Sequence, residues 1–313
     1  MSSPSSSSSP PASAGEPPTS TAGSPAAGAL PRLQLALTAV LFSTGGAAIK
    51  ACSLGAWQIA GLRSGIAALT LFVLIPAARR GFSVWTLPVG IVYAATLVTF
   101  VAANKHTTAA NAIFLQSSAP LYIVILGPLL IRERVRPHDL AFLMAVGLGL
   151  WLLLAGGTPT FETAPEPGVG NVLGLLAGLL WGLTLMGLRK LGTGRPGAPI
   201  AAAATGNAIA FLGCLPWMFP LEASGSDWLV LSYLGVVQIG LAYVLMGLAV
   251  RRVTAFEASL LLMLEPALSP LWAWWVHGEA PGTGPLLGGA TIVAAGLAKT
   301  WWALREEPVG SAG

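Results

Sequence analysis

Two apolar stretches of this chain follow one pattern. Each begins with Thr-Ala, has a proline near its middle and contains a glutamate near its end. The matching positions, 146 residues apart, are Thr108, Pro120 and Glu133 in the first stretch and Thr254, Pro266 and Glu279 in the second. A helix needs about 20 apolar residues to cross a bilayer, so each proline falls near the middle of a membrane span. An internal duplication whose helices are broken in the middle of the membrane is typical of secondary transporters. It predicts a binding site at that depth.

Composition supports a membrane protein along the whole chain. Charged residues make up 9% and apolar residues 54% of the sequence, whereas soluble domains carry about 25% charged residues. A soluble protein with buried helices would show polar faces at a period of 3.6 residues, and these stretches have almost none. We therefore predict an all-α integral membrane protein of about ten transmembrane helices. The predicted spans are residues 33–49, 57–77, 86–103, 109–131, 140–155, 169–188, 198–219, 228–250, 255–276 and 284–303.

The spans divide into two halves of five, with tails of other composition. We predict a disordered cytoplasmic tail rich in Ser, Pro and Ala at residues 1–31, because such segments bury too little apolar surface to fold. No basic and apolar secretory signal opens the chain. The predicted first repeat is 32–156, an external loop is 157–168, the second repeat is 169–305 and a cytoplasmic tail is 306–313.

Positive charge predicts the orientation, because short cytoplasmic loops carry an excess of Lys and Arg. With both termini in the cytoplasm, thirteen basic residues lie inside, Lys50 and Lys105 lie outside and Arg63 lies within a span. The thirteen are Arg32, Arg79, Arg80, Arg132, Arg134, Arg136, Arg189, Lys190, Arg195, Arg251, Arg252, Lys299 and Arg305. Five helices per repeat then make the two repeats inverted. The net charge of +4 reports this topology and does not indicate nucleic-acid binding.

Pro120 and Pro266 are predicted to break their helices at matching depths. Proline removes one backbone hydrogen bond and crowds the carbonyl four residues earlier, here those of Gln116 and Leu262. Lipid satisfies no such carbonyl, so we expect both breaks to line a cavity and to act as hinges. The alternative is that both prolines are packing kinks satisfied by neighbouring helices.

Glu265 is the most informative ionisable residue, since it lies at the centre of the sequence Leu-Leu-Leu-Met-Leu-Glu-Pro. A charge at that depth costs about 2.5–3.5 kcal/mol on insertion scales. We expect Glu265 to carry a coupled proton or to accept the ammonium group of a substrate, and a structural ion pair is the alternative. Arg63 is the candidate partner: the two would bracket a zwitterion, unless Arg63 extends outward to the membrane surface.

Further polar residues in the spans are candidates for the lining of the site, although any one of them is more often an interhelical hydrogen bond. They are Ser43, Thr44, Tyr93, Gln116, Ser117, Ser118, Trp181, Asn207, Gln238 and Tyr243. Glu133, Glu257 and Glu279 lie at helix ends, and we expect structural roles for them. Glycines spaced by four at 174, 178 and 182, and again at 61 and 65, predict close helix packing.

Catalytic and metal-binding functions find little support. His106, His138 and His277 lie near predicted loops, Cys52 and Cys214 lack metal-ligand spacing, and no nucleotide-binding motif is present. We predict no enzyme activity, no cofactor and no metal. The predicted partners are a small-molecule substrate, membrane lipid and protons as a candidate coupling ion, with no nucleic acid; oligomeric state is left open.

Several motifs resemble EamA-type members of the drug/metabolite transporter superfamily. They are Glu-Pro-Ala-Leu at 265–268 with Gly278-Glu279, the parallel Ala119-Pro120 with Glu133, and Leu-Trp-Gly at 180–182. Arg132 and Phe42-Ser43 depart from the usual Gly and Trp-Gly. The resemblance spans 32–305 and implies a ten-helix bundle of two inverted repeats in a bacterial inner membrane, commonly exporting amino acids or other small metabolites. We therefore expect a permease that works by alternating access. A drug or amine cation exporter is the alternative, and an integral membrane enzyme or scaffold is the alternative of another class.

Overall fold

The computed structural model describes residues 25–130, 137–156, 160–195, 197–249 and 261–306. The α-helices in chain order are α1 (Pro25–Ser43), α2 (Gly45–Ala51), α3 (Ala56–Leu74), α4 (Pro76–Arg80), α5 (Thr86–His106), α6 (Ala109–Gln116), α7 (Ala119–Leu130), α8 (Pro137–Ala155), α9 (Pro167–Gly194), α10 (Ala198–Cys214), α11 (Gly225–Ser232), α12 (Ala242–Ala249), α13 (Leu264–His277) and α14 (Thr283–Glu306). A 3-10 turn at Leu215–Trp217 and a π-helical segment at Tyr233–Leu241 complete them. The predictions for residues 1–24, Arg132, Glu133, Arg134, Arg136, Arg251, Arg252 and Glu257 lie outside the described residues.

Within the described ranges the protein is all-helical, as predicted, and it is a multi-pass membrane protein. Segments long and apolar enough to cross a bilayer are Ala29–Ala51, Ala56–Leu74, Thr86–His106, Ala109–Leu130, Pro167–Gly194, Ala198–Trp217 and Gly225–Ala249. These seven correspond to seven of the ten predicted spans. The apolar helices Asp139–Ala155 and Thr283–Ala298 are shorter, and α13 covers only part of the predicted span 255–276. The ten-span arrangement therefore stays a prediction.

Large apolar side chains on the perimeter agree with a lipid environment. Leu129 and Trp275 are each 79% exposed, and Trp85 is 71% exposed. Large exposed apolar side chains in such number are expected where a protein contacts a membrane or another protein. The buried interior, by contrast, is rich in small residues such as Ala203 and Ala204, which allow helix backbones to approach closely.

Several spans are interrupted near their middle. Thr44 separates α1 from α2, Ser117 and Ser118 separate α6 from α7, and a turn at Met263 precedes α13. Pro120 and Pro266 lie in the first turns of α7 and α13. A proline in a first turn loses no intrahelical hydrogen bond, because the amide there has no partner within the helix. The duplicated prolines thus each follow a turn and open a new half-helix.

Helix directions follow from contacts at both ends of each pair. The helices α5 and α9 are antiparallel, since Gly170 packs against Thr107 while Gly187 packs against Val89. In α8 and α14, a Cβ on Gly149 would meet the Gly288 carbonyl oxygen at 2.9 Å. A backbone contact that close requires glycine, so these two helices pack as tightly as small-residue motifs allow.

Candidate functional site

Two tyrosines meet in the interior between helices distant in the sequence. The hydroxyl oxygens of Tyr93 on α5 and Tyr243 on α12 lie 2.7 Å apart in a buried hydrogen bond. A tyrosine hydroxyl both donates and accepts, so each can still bind one further polar group. Both were predicted as candidates for the lining, and the structure brings them together.

Arg63 of α3 lies beside this pair without a partner. Its side chain is 2% exposed and is near enough to both tyrosines to interact electrostatically. Its Nε makes no hydrogen bond, and no described acidic residue forms an ion pair with it. The Arg63 side chain is therefore enclosed by the described helices. A buried guanidinium without an acceptor is costly, so the position is suited to an anionic group supplied by a ligand.

Glu265 lies in the first turn of α13, directly after the break at Met263. It is half-buried and interacts electrostatically with Tyr243. No described residue donates a hydrogen bond to its carboxylate, and no ion pair joins it to Arg63 in the described part of the chain. The cluster thus holds one cationic and one acidic side chain that do not neutralise each other.

Two buried amides add acceptors without partners. Asn207 donates from Nδ2 to the Ala203 carbonyl (3.0 Å) and lies beside Tyr93, while its Oδ1 has no partner. Gln238 donates to the Phe42 carbonyl at 3.5 Å, and its Oε1 has no partner. The Gln238 side chain belongs to the π-helical segment, a wide turn often found at functional sites. Unsatisfied buried acceptors of this kind indicate water or a ligand.

Aromatic rings flank the tyrosine pair on both sides. Phe42 contacts Tyr243 edge to face with ring centroids 5.7 Å apart, and Trp181 lies 6.2 Å from Tyr93. Trp181 was a predicted candidate, whereas sequence reasoning missed Phe42. An aromatic residue in an apolar span gives no contrast, and the signal was that Phe42-Ser43 stands where the family pattern has Trp-Gly, as at Trp181-Gly182.

The remaining candidates lie elsewhere. Ser117 and Ser118 donate back to the Ile113 and Leu115 carbonyls of α6, at 2.8 and 2.5 Å. No described contact links these serines or Gln116 to the tyrosine pair, so a role in binding stays a prediction for them. Ser43 accepts a hydrogen bond from Trp272 Nε1 at 2.9 Å, which is the interhelical role given as the alternative.

Two surface grooves are less suited than the tyrosine cluster to binding a charged ligand. A groove of 520 Å³ is lined by Leu268, Leu271, Trp272, Trp274 and Trp275. A second, of 350 Å³, lies among Trp57, Ile91, Val98 and neighbouring residues of α3, α5 and α10. Both have mostly apolar walls and hold no charged side chain. The described residues also contain no group of three His, Cys, Asp or Glu that suits a metal ion.

Comparison with known proteins gives the family. A model of the EamA-like transporter family matches residues 32–155 and 168–298. The pseudopaline exporter CntI of Pseudomonas aeruginosa is 25% identical over 275 residues, covering 85% of this chain and 94% of that protein. The aromatic amino acid exporter YddG of Ancylobacter novellus is 26% identical over 275 residues, covering 87% and 88%.

Two further proteins are similar to this chain. The Pseudomonas aeruginosa protein PA1977 is 32% identical over 269 residues, which cover 80% of this chain and 88% of that protein. A protein of known crystal structure superposes with a TM-score of 0.61 at 21% identity, over 88% of this chain and 98% of that chain. At this identity the structural likeness shows the fold alone. The chain belongs to the EamA-like transporter family.

Proposed function

We propose that the protein exports amino acids or closely related zwitterions across a bacterial inner membrane by alternating access. One observation carries the proposal: Arg63 and Glu265 both interact electrostatically with Tyr243, and neither has a charged partner among the described residues. A ligand with a carboxylate and an ammonium group neutralises both at once.

The chemistry of each side chain fits its part of such a ligand. The planar guanidinium of Arg63 suits a carboxylate, which it binds through two parallel hydrogen bonds. Glu265 accepts hydrogen bonds from an ammonium group, and Tyr243, which interacts with both charges, is hydrogen-bonded to Tyr93. A ligand that carries only one of the charges leaves the other side chain buried and unpaired, which disfavours its binding.

The aromatic rings suggest which amino acids are favoured. Phe42 and Trp181 give the cluster apolar walls next to its charges. Aromatic faces stack on planar side chains and are worth about 0.5–1.5 kcal/mol beyond the area they bury. The name of the YddG relative, an aromatic amino acid exporter, agrees with this preference. We therefore propose large apolar or aromatic amino acids as the favoured substrates.

The fold proposed for this function has ten spans in two inverted repeats. The contacts between helices support it, because they recur in matching pairs: α5 packs against α9 as α12 packs against α1, and α7 packs against α9 as α13 packs against α1. Directions match too. The span formed by α1 and α2 runs parallel to α13, since Ser43 bonds to Trp272 and Ala47 to His277. The α1 and α12 helices are antiparallel, with Leu35 and Ala249 packed together at one end.

The same arrangement underlies the proposed cytoplasmic termini. Lys50 and Lys105 lie at one end of the bundle, where the Lys105 ammonium donates to the Cys52 carbonyl. Arg79, Arg80 and Arg195 lie at the opposite end, where Arg195 donates to the Phe82 carbonyl. This distribution agrees with a cytoplasmic location for the arginine-rich end.

A cation exporter is the second candidate, and the aromatic rings favour it. Tyr, Trp and Phe faces attract ammonium groups, so Glu265 with this aromatic surround suits an amine that lacks a carboxylate. In that case Arg63 is dispensable for binding. Substitution of Arg63 by Ala therefore separates the two functions.

The experiment is a thermal-shift screen of the purified protein against amino acids, amines and sugars. We expect an amino acid to stabilise the wild type, and neither Glu265→Gln nor Arg63→Ala to respond to it. Ser117→Ala, a mid-span polar variant outside the cluster, is the control and should respond as the wild type does. An amine that stabilises both the wild type and Arg63→Ala points to the cation exporter. Equal stabilisation of wild type and Glu265→Gln contradicts both functions and indicates a structural role for Glu265.

A further inference from the structure

A buried ion pair closes one end of the helix bundle. Lys50, the penultimate residue of α2, and Glu279, two residues after α13, place Nζ and Oε1 2.8 Å apart, with side chains 0% and 1% exposed. The sequence placed Lys50 on the outer side as one of two basic residues and Glu279 at a helix end. Neither position predicted that the two would meet in the interior.

Each charged group is also fully hydrogen-bonded. The Lys50 ammonium donates to the carbonyls of Thr107 at 2.8 Å and Thr163 at 2.6 Å. Glu279 accepts from the Thr163 hydroxyl at 2.5 Å and from the Ala109 amide, at the start of α6, at 2.9 Å. Buried ion pairs persist when their remaining donors and acceptors are satisfied in this way. The network ties together the ends of α2, α5 and α13, the start of α6 and the segment before α9.

Asn104 lies on α5 between Tyr93 of the tyrosine pair and Thr107, whose carbonyl belongs to this network. Gly46 of α2 packs against Asn104 and Ser269: a Cβ on Gly46 would lie 2.9 Å from Asn104 Oδ1 and 3.6 Å from Ser269 Oγ. Asn104 is fully buried, and its Oδ1 has no partner. An acceptor left unsatisfied in the interior suits a site that water or a passing ligand visits.

We propose that the Lys50–Glu279 pair is a latch that closes the path from the tyrosine cluster to this end of the protein, and that the pair separates each time a substrate leaves. The latch joins α2 and α13 to α6, and these are the half-helices that follow or precede the breaks in their spans. Half-helices can tilt about such breaks while the rest of the span stays in place. The latch serves any substrate, so it does not depend on the amino-acid assignment.

Sided labelling of a cysteine tests the latch without a known substrate. All variants carry Cys52→Ala and Cys214→Ala, which remove both native thiols. The substitution Ser269→Cys then places a single thiol on α13, between the break at Met263 and Glu279. A membrane-impermeant methanethiosulfonate is added to one side of reconstituted protein at a time. We expect Glu279→Gln to raise the labelling rate from the Lys50 end about tenfold, because it shifts the population toward the open state. The rate from the opposite end should not rise. An unchanged rate, or an equal increase from both ends, overturns the proposal.

Asp227→Asn is the matched control. Asp227 is a buried carboxylate at the same end, and it binds Ser53 and Ser224 through several hydrogen bonds. It holds α11 against the loop after α2, and none of its hydrogen bonds within the described residues reaches α13. Its variant should therefore leave the labelling rate at position 269 within about twofold of the parent. A one-sided increase as large as that of Glu279→Gln would show that any loosening of this end admits the reagent, and would overturn the latch.

Thr163→Val is the milder variant and covers the case in which Glu279→Gln does not fold. It removes one hydrogen bond to Glu279 and keeps both charges. We expect a one-sided increase of about threefold, since fewer bonds then oppose the opening. No increase in a folded Thr163→Val protein contradicts the proposal.

Discussion

The two proline breaks are copies of one motif, yet they are satisfied differently. At the first break Ser117 and Ser118 bond to carbonyls of their own half-helix, and Gly178 of α9 packs directly over them. At the second break Met263 and Leu264 supply no hydroxyl, and Glu265 contributes a carboxylate that has no described partner. Helix packing fills the first break, whereas the second break presents the Glu265 carboxylate, which can bind a ligand. In both stretches a proline follows a turn and opens a half-helix, and we infer that substrate chemistry is carried by one of the two breaks.

Glu265→Gln should have the largest effect and should separate binding from stability. Hydrogen bonds to charged groups are worth about 1.5–3 kcal/mol, so the affinity for a zwitterionic ligand should fall roughly 10- to 100-fold. Stability should hold or rise, because the variant removes an unpartnered carboxylate from a span. Ligand-induced thermal shift and the unfolding temperature without ligand check the two effects. A variant that unfolds more readily and binds normally would assign Glu265 to structure.

Gly178→Val should damage the first break, where packing is closest. A Cβ at this position would lie 2.5 Å from Ser118 Oγ and 2.8 Å from the Leu115 carbonyl oxygen, so α9 and the break have to move apart. We expect a loss of about 1–3 kcal/mol in stability. Gly213→Ala in α10 is the control, since a Cβ there meets nothing within 4 Å. Thermal unfolding in nanodiscs measures both, and equal Tm values for the two variants would contradict the close packing.

Tyr243→Phe should have an intermediate effect at the cluster itself. The variant removes the 2.7 Å hydrogen bond to Tyr93, worth about 1 kcal/mol. Tyr93→Phe should lose at least as much, since the Tyr93 hydroxyl also interacts with Asn207. The double variant should lose less than the sum of the two single losses, because both single variants break the bond between Tyr93 and Tyr243. Fully additive losses in Tm would mean that the two hydroxyls act independently.

Ser117→Ala should have the smallest effect. The hydroxyl bonds within its own half-helix, and polar contacts inside membrane proteins average about 0.6 kcal/mol. Stability should change by no more than this amount, and ligand binding should stay at the wild-type level. A loss of binding comparable with that of Glu265→Gln would make the two breaks functionally equivalent and remove the asymmetry.

Much of the helical layout could be predicted from the sequence, because the length of an apolar run is a property of the chain itself. Predicted span 86–103 is found as α5, Thr86–His106, and predicted span 109–131 is found as Ala109–Leu130. The interruption at Thr44 and the π-helical segment were not predicted. Both depend on contacts between spans: Gln238 packs against Gly45, and Tyr233 hydrogen-bonds to Thr44 at 2.7 Å.

The candidate site could be predicted as a set of residues but not as an arrangement. Each polar side chain within an apolar span can be recognised from the sequence by itself, and this identified Arg63, Tyr93 and Tyr243. Their meeting depends on the packing of α3, α5 and α12, which a single sequence does not encode in any local pattern. Lys50 illustrates the same point. It was counted only toward orientation, although it lies in the interior and pairs with Glu279.

We infer that Glu265, at the second break, and Arg63 together bind a zwitterion. The most direct test measures binding of phenylalanine, phenethylamine and 3-phenylpropionate to the wild type, Glu265→Gln and Arg63→Ala. We expect the wild type to bind phenylalanine more tightly than either singly charged analogue. Removing the amino group from the ligand and replacing Glu265 should cost the same affinity, and changing both should cost no more than changing one. Phenylalanine binding to Glu265→Gln at wild-type affinity would contradict this inference.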